Sequence, residues 1–228
     1  MNPYLFQTAR KIVAGVHAFE QITDHLQAMP DVNSIYVLCQ PAIKRLGYLD
    51  TLLAQLARCG CSVEWSMDVK PEPTIQDIEQ IYAGFAQQQY DLIIGIGGGS
   101  VLDVAKLLSI MPANRISLRE MLGVDKIRNQ GIPTVLIPTT SGTGSEVTPN
   151  AIVTIPEEQL KVGIVSQYLL PELVIIDPVL TVDLPKAITA ATGMDAYTHA
   201  FESFISNKAN PFSDMLALES IRHISGSI

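Results

Sequence analysis

Asp195 and His199 stand four residues apart in GMDAYTHAFESF (193–204), a stretch that otherwise reads as an apolar helix. Four residues bring an α-helix back to nearly the same face, so the two side chains project one turn apart and can grip one cation. The same spacing suits a hydrogen-bonded core pair, or a carboxylate that orients an imidazole. A divalent metal normally takes three or four protein ligands, and this pair supplies two.

Two further stretches carry chemistry. In DLIIGIGGGSVLDVAK (91–106), Gly97, Gly98 and Gly99 lie between an apolar run and an amphipathic one. A strand-to-helix turn of that composition leaves bare backbone amides and a helix N-terminus facing outward, which is a cradle for pyrophosphate or, more simply, a tight turn. Ser100 followed by Asp103 has the spacing of a capping box, with Ser100 as the N-cap. The pattern is not G-x-G-x-x-G, so its position after a strand carries the argument. In IPTTSGTGSEVT (137–148), Thr139, Thr140, Ser141, Thr143 and Ser145 are interleaved with Gly142 and Gly144. Such hydroxyls at a strand end can donate to phosphate, ribose or a carboxamide, or can form a polar loop that caps a helix with Glu146 in its first turn.

The elements that must position these residues follow from the hydrophobic periodicity. Strands are expected at 33–39, 61–67, 91–97, 132–138 and 172–177, and helices at 49–60, 74–89 and 100–111. Strands without a polar face, separated by helices, imply a parallel sheet covered on both sides. From Pro185 onward the pattern is helical only, over 185–206 and 211–228, with Pro185 and Pro211 read as first-turn prolines. The expected organisation is therefore a doubly wound α/β nucleotide-binding domain over 1–184, followed at 185–228 by the start of an all-helical domain.

Composition narrows the function classes. The 228 residues are 47% hydrophobic, and 15 basic against 23 acidic residues give a net charge of −8 without a Lys/Arg-rich run. Nucleic acid and anionic membrane are therefore not expected partners, and small molecules are. The N-terminus has no signal-peptide pattern, and no apolar run approaches the roughly 18 to 20 residues that span a bilayer. A cytoplasmic protein is expected. Cys39, Cys59 and Cys61 are an odd number without framework spacing and are read as reduced thiols, with Cys59-Gly60-Cys61 at a helix-to-strand junction where small residues pack.

GGGSVLDVAK (97–106), PTTSGTGSEVT (138–148) and GMDAYTHAFESF (193–204), in this order and spacing, resemble the iron-containing (group III) alcohol dehydrogenase family. The resemblance implies a Rossmann-like NAD(P)-binding domain and a helical metal-binding domain, together a dehydroquinate synthase-like fold. It also implies one divalent metal, Fe2+ first and Zn2+ as the alternative, held by one Asp and three His. Asp195 and His199 would be two of those ligands. Gly97, Gly98, Gly99, Ser100 and Asp103 would hold the pyrophosphate side of NAD or NADP. Thr139, Thr140, Ser141, Thr143 and Thr148 would lie along the cofactor, and Lys161 near its ribose. The metal would polarise the oxygen of a small alcohol or aldehyde while the nicotinamide gives or takes hydride. A homodimer or larger homo-oligomer is implied. Glycerol dehydrogenase and dehydroquinate synthase share the wider fold, but PTTSGTGSEVT is closer to group III members.

The sequence departs from that pattern twice. The family's other two ligand histidines lie several tens of residues beyond His199, and the chain ends at Ile228, so a C-terminally truncated member with impaired turnover is expected. The alternative is a non-catalytic NAD(P)-binding homologue or subunit. His17 and His25 fall in an N-terminal helical stretch, and His223 is read as a surface or packing histidine. Many relatives carry an acid at the end of the first long strand, where it contacts the adenosine ribose and repels a 2′-phosphate; here Cys39 stands there, followed by Gln40. NADP is therefore expected to be tolerated, with Lys44 or Arg45 as phosphate partners.

Overall fold

The computed structural model describes residues 3–227, so Ile228, at the end of the last expected helix, lies outside the described residues, as do Met1 and Asn2. In chain order the elements are β1 (Ile12–Ala14), α1 (Ile22–Gln27), β2 (Ser34–Cys39), α2 (Pro41–Arg45), α3 (Tyr48–Arg58), β3 (Ser62–Ser66), α4 (Ile75–Phe85), β4 (Leu92–Gly97), α5 (Gly99–Asn114), α6 (Leu118–Met121), β5 (Gly123–Val124), β6 (Thr134–Pro138), β7 (Asn150–Ile155), β8 (Leu160–Val165), β9 (Leu173–Ile176), α7 (Lys186–Ile205) and α8 (Pro211–Ser225).

Six strands form one sheet in the order β1-β9-β6-β4-β2-β3, and every neighbouring pair is parallel. Alternation along the central strands divides the core in two. Ile35, Val37 and Cys39 of β2 join Leu92, Ile94 and Ile96 of β4 and Val135 and Ile137 of β6 against α1 and α3. Tyr36, Leu38, Ile93 and Leu136 face the other way, against α4 and α5. Because both faces are covered, these strands have no polar side. β3 differs: it is an edge strand, and Glu64 and Trp65 are exposed.

The sheet order reverses between β2 and β4, since the chain moves outward to β3 from one and to β6 from the other. In an open α/β sheet, the crevice outside the carboxyl ends of such a pair is where ligands bind. Cys39 and Gly97 end these two strands.

A second sheet was not expected. β7 and β8 form an antiparallel hairpin, and β5 pairs in parallel with β8. Ala151, Val153 and Ile155 point into the core while Ile152 and Thr154 point out, the half-buried alternation that hairpins allow. The turn runs through Pro156–Glu158 and Gln159, whose φ of 51° closes it.

α7 and α8 cover each other only in part. Ala200 is the buried residue of α7 and Ala217 that of α8, while Ile188, Met194, Phe201, Phe212, Met215 and Leu218 are exposed. Pro211 begins α8 as expected, whereas Pro185 stands at the N-cap of α7, one position earlier than read.

Candidate functional site

The glycine turn connects β4 to α5. Gly98 is the N-cap of α5, in extended conformation and without a side-chain cap. The N–H groups of Gly99 and Ser100 therefore begin the helix with no carbonyl a turn below them, and none of the described backbone hydrogen bonds outside regular elements uses them. The Ser100–Asp103 capping box is corrected: Ser100 Oγ accepts instead from the Glu72 N–H at 3.3 Å, and Asp103 points inward. True capping boxes occur at Thr74 with Asp77 and at Ser117 with Glu120, where the hydroxyl residue precedes the helix by one position. At Gly98–Ser100 the helix starts too early for Ser100 to take that role.

Position 99 is closely approached by the Thr143 side chain. A Cβ there would lie 2.8 Å from Thr143 Oγ1 and 2.9 Å from Thr143 Cγ2. The loop after β6 thus presses against the turn, and a Cβ on Gly142 would in turn meet Thr192 of α7 at 2.9 Å. One loop packs against both the glycine turn and the long helix.

Between them opens a cleft of about 1310 Å³. Gly98, Gly99, Ser100 and Asp103 line one part of it, and Thr139, Thr140, Thr143 and Thr148 another. Lys161 of β8 reaches the mouth, where its Nζ lies 2.6 Å from Glu72 Oε1. Asp195 and His199 of α7 form the far wall. Gly97 is buried within β4, and Ser141 is exposed outside the lining.

Cys39 is a correction. Its side chain is fully buried on the α1 and α3 side of the sheet, and burial pushes the thiol up to about 11. Period-two alternation decides this, since Cys39 shares the face of Val37; the next residue, Gln40, lines the cleft instead. Arg45 also lines it, whereas the Lys44 ammonium sits 4.7 Å from the Trp65 ring centroid.

The Asp195–His199 pair is open in geometry. His199 Nε2 lies 3.6 Å from Asp195 Oδ1, too long for a hydrogen bond, so the carboxylate does not orient the ring. The side chains are 56% and 43% exposed, so this is not a core pair. Both present free donor atoms to the cleft. Among the described residues no third His, Cys, Asp or Glu joins them in a group able to hold a metal. His223 instead pairs with Glu219 at 3.0 Å on the surface of α8.

Sequence reasoning missed Lys106. It is fully buried in α5, and its Nζ donates to Ser145 O at 2.8 Å and to Asn150 O, with Asp103 Oδ1 at 2.9 Å. The available signal was a lysine inside VLDVAKLLSIM, a run in which every position is buried.

The family described as iron-containing alcohol dehydrogenase matches residues 9–178, and the C-terminal part of the Fe-containing alcohol dehydrogenase family matches residues 189–228. The chain is 39% identical over 217 residues to long-chain-alcohol dehydrogenase 1 of Geobacillus thermodenitrificans (strain NG80-2), covering 94% of this chain and 54% of that protein. It is 32% identical to sulfoacetaldehyde reductase of Bilophila wadsworthia (strain 3_1_6), with 99% and 58% covered. Among solved structures, 1,3-propanediol oxidoreductase superposes with a TM-score of 0.93 at 32% identity, covering 99% of this chain and 59% of that one. Sulfoacetaldehyde reductase from Bifidobacterium kashiwanohense in complex with NAD+ superposes at 0.89 with 26% identity, over 98% and 59%. The chain thus spans about half the length of the curated relatives it matches. With its parallel sheet, glycine turn and opening helical pair all within those matches, the chain belongs to the iron-containing alcohol dehydrogenase family.

Proposed function

We propose that the cleft binds NAD(P) across the glycine turn, and that the whole protein interconverts a small alcohol and its aldehyde by hydride transfer beside a divalent metal. The observation that carries this is the convergence of free helix amides, a threonine-lined wall and an open Asp195–His199 pair on one cleft. Gly98, Gly99 and Ser100 suit the pyrophosphate, because the unpaired N–H groups and the helix dipole both favour an anion. Thr139, Thr140, Thr143 and Thr148 offer hydroxyls along the cofactor, and Lys161 a cation at the ribose end. When bound, the dinucleotide supplies the hydride carrier and the metal, Fe2+ or Zn2+, the Lewis acid.

In this reading residues 1–184 form the NAD(P)-binding domain, and 185–228 are the first helices of the metal-binding domain. The exposed apolar faces of α7 and α8 fit a subunit of a homo-oligomer, and the cytoplasm is the compartment that three free thiols favour. No described helix is long and apolar enough to cross a membrane.

A second reading, cofactor binding without turnover, is favoured by one observation: Asp195 and His199 are two donors open to solvent, and a divalent site takes three or four. Both readings are tested on the 228-residue polypeptide by calorimetric titration with NADH and NADPH, then by assay with propanol or propanal and added Fe2+ or Zn2+. Binding of both dinucleotides within about tenfold of one another is expected, since no carboxylate replaces Cys39 and Arg45 stands in the cleft. Turnover is expected only at trace level. Absence of dinucleotide binding would overturn the cofactor assignment, and metal-dependent turnover at a rate of about 1 s⁻¹ or more would overturn the second reading.

Glu72 should oppose binding. It holds Lys161, and its φ of 51° is uncommon for a non-glycine residue. Glu72→Gln frees the ammonium for an anionic ligand. The dissociation constant for NADH should fall by about two- to fivefold, a modest change because both side chains are more than half exposed. An unchanged or larger constant would show that Lys161 does not reach the ligand.

A further inference from the structure

We propose that Lys106 is a positioning residue: buried beneath the cleft, it fastens α5, which carries the glycine turn, to the loop and strand that carry the hydroxyl wall. The inference rests on the cleft being the cofactor site, and it assigns Lys106 and Asp103 a role other than touching the cofactor.

An ammonium has three N–H donors and accepts nothing. Lys106 has three partners: the carbonyl of Ser145, the carbonyl of Asn150 and the Asp103 carboxylate. Ser145 is in the hydroxyl loop and Asn150 opens β7, so the side chain ties one helix to two segments that follow β6. Asp103 completes the tie from the same helix. Its Oδ1 accepts from Ser145 Oγ, and its Oδ2 from the Ile152 N–H at 2.9 Å. Every polar atom of the pair is therefore spent on the walls, although Asp103 borders the cleft.

Burial disfavours the charge on Lys106, and Asp103 and then Glu146 oppose that. A buried charge pair of this kind is weak evidence of stabilisation, because a well-packed apolar replacement often serves as well. The question is then what the pair fixes. Strand pairing joins the turn to the loop only as far as Gly97 with Pro138, where Thr139 N–H donates to Gly97 O at 3.0 Å, so the loop beyond Thr139 needs a further coupling to α5 if one ligand is to meet both Gly99 and Thr143. Lys106 and Asp103 supply that coupling.

Three variants of the 228-residue polypeptide separate positioning from bulk stability. Lys106→Met keeps an unbranched side chain one atom shorter and removes the donors. The double variant Lys106→Met with Asp103→Leu also removes the stranded carboxylate. The conservative Asp103→Glu keeps the charge pair. Amide hydrogen exchange is read at Ile152 and the 139–148 loop, with β4 and β6 as internal reference, and NADH affinity by titration. Exchange at Ile152 should accelerate by about tenfold or more in Lys106→Met and in the double variant, with the β4 amides unchanged. The double variant should regain most of the wild-type melting temperature while its NADH dissociation constant stays raised by about tenfold or more. Asp103→Glu should fall between the wild type and Lys106→Met in both readouts.

Loop exchange like that of the wild type in Lys106→Met would overturn the proposal. So would recovery of affinity together with stability in the double variant, since the pair would then act only through stability. A double variant that does not fold counts against it equally, because the pair would then be a condition of the whole core. Failure of the wild type to bind NADH would sink the cofactor assignment, and the exchange measurement alone would decide the role of Lys106.

Discussion

Gly99→Asp should reduce NADH affinity by about a hundredfold or more, close to 2.7 kcal/mol at 1.36 kcal/mol per factor of ten. Two effects add. The new Cβ would stand 2.8 Å from Thr143 Oγ1, so the Thr143 side chain must shift. The new carboxylate would then sit at the first helical position, where it takes the free amides for itself and repels a pyrophosphate. Gly99→Ala isolates the steric part and should cost about tenfold, because Thr143 is an end group that can move. The global fold should survive both, since position 99 and the Thr143 side chain that its Cβ would meet both line the cleft rather than the core. The measurement is a calorimetric titration beside a thermal melt. Affinity within threefold of the wild type in Gly99→Asp, with an unchanged melting temperature, would mean that the dinucleotide does not cross this turn.

The sheet was legible because its central strands are buried on both faces. In LIIGIG (92–97) nothing polar interrupts the apolar run and in IPTVLIP only the buried Thr134 does, and such runs bounded by glycine or proline are strands in an α/β chain. β7 and β8 were missed for the opposite reason. NAIVTI and LKVGIV are half-exposed, and their alternation is broken by Lys161 and by the Pro-Glu-Glu-Gln turn. β1 has three residues, too few for a period. Lys161 was nonetheless singled out, through resemblance alone, and it reaches the cleft mouth because the unexpected hairpin carries it there.

The site was legible as types and not as geometry. Gly98–Ser100, the threonines, Asp195 and His199 meet in one cleft, yet the roles of Ser100 and Asp103 were read from a four-residue pattern that the backbone does not adopt. A capping box needs its hydroxyl just before the first helical residue, and the third glycine already belongs to α5. Cys39 stands at the expected strand end, but its side chain faces the core and not the cleft. Strand position fixes which end of the sheet a residue occupies, and only the register of alternation fixes whether it meets the ligand or the core. Lys106 escaped because a lysine is normally a surface residue, and its burial is explained only by partners 39 and 44 positions later in the chain.

The spacing between the two main walls of the cleft rests on a residue outside it. Gly131 precedes β6, whose far end delivers Thr139 and Thr140, and it runs against α5, whose near end delivers Gly99 and Ser100. A Cβ on Gly131 would lie 2.0 Å from Ser109 O, 2.5 Å from Ser109 C and 2.8 Å from Ile110 Cα, all backbone atoms of α5. No rotamer change relieves such a contact. Either α5 shifts outward or the segment before β6 loses the hydrogen bond by which Ile132 N–H donates to Ser109 O at 3.0 Å. Val101, Leu102, Val104, Ala105, Leu107, Leu108 and Ile110 are buried in α5, so its shift would open the core along the whole helix. Gly131→Ala should therefore destabilise the fold by about 3 kcal/mol, the upper range for overpacking, as read by urea denaturation with an unchanged slope. A loss below about 1 kcal/mol would show that α5 slides against β6 at little cost. Stability and NADH affinity should fall together in this variant, which sets it apart from Gly99→Asp: one moves the walls, and the other blocks the space between them.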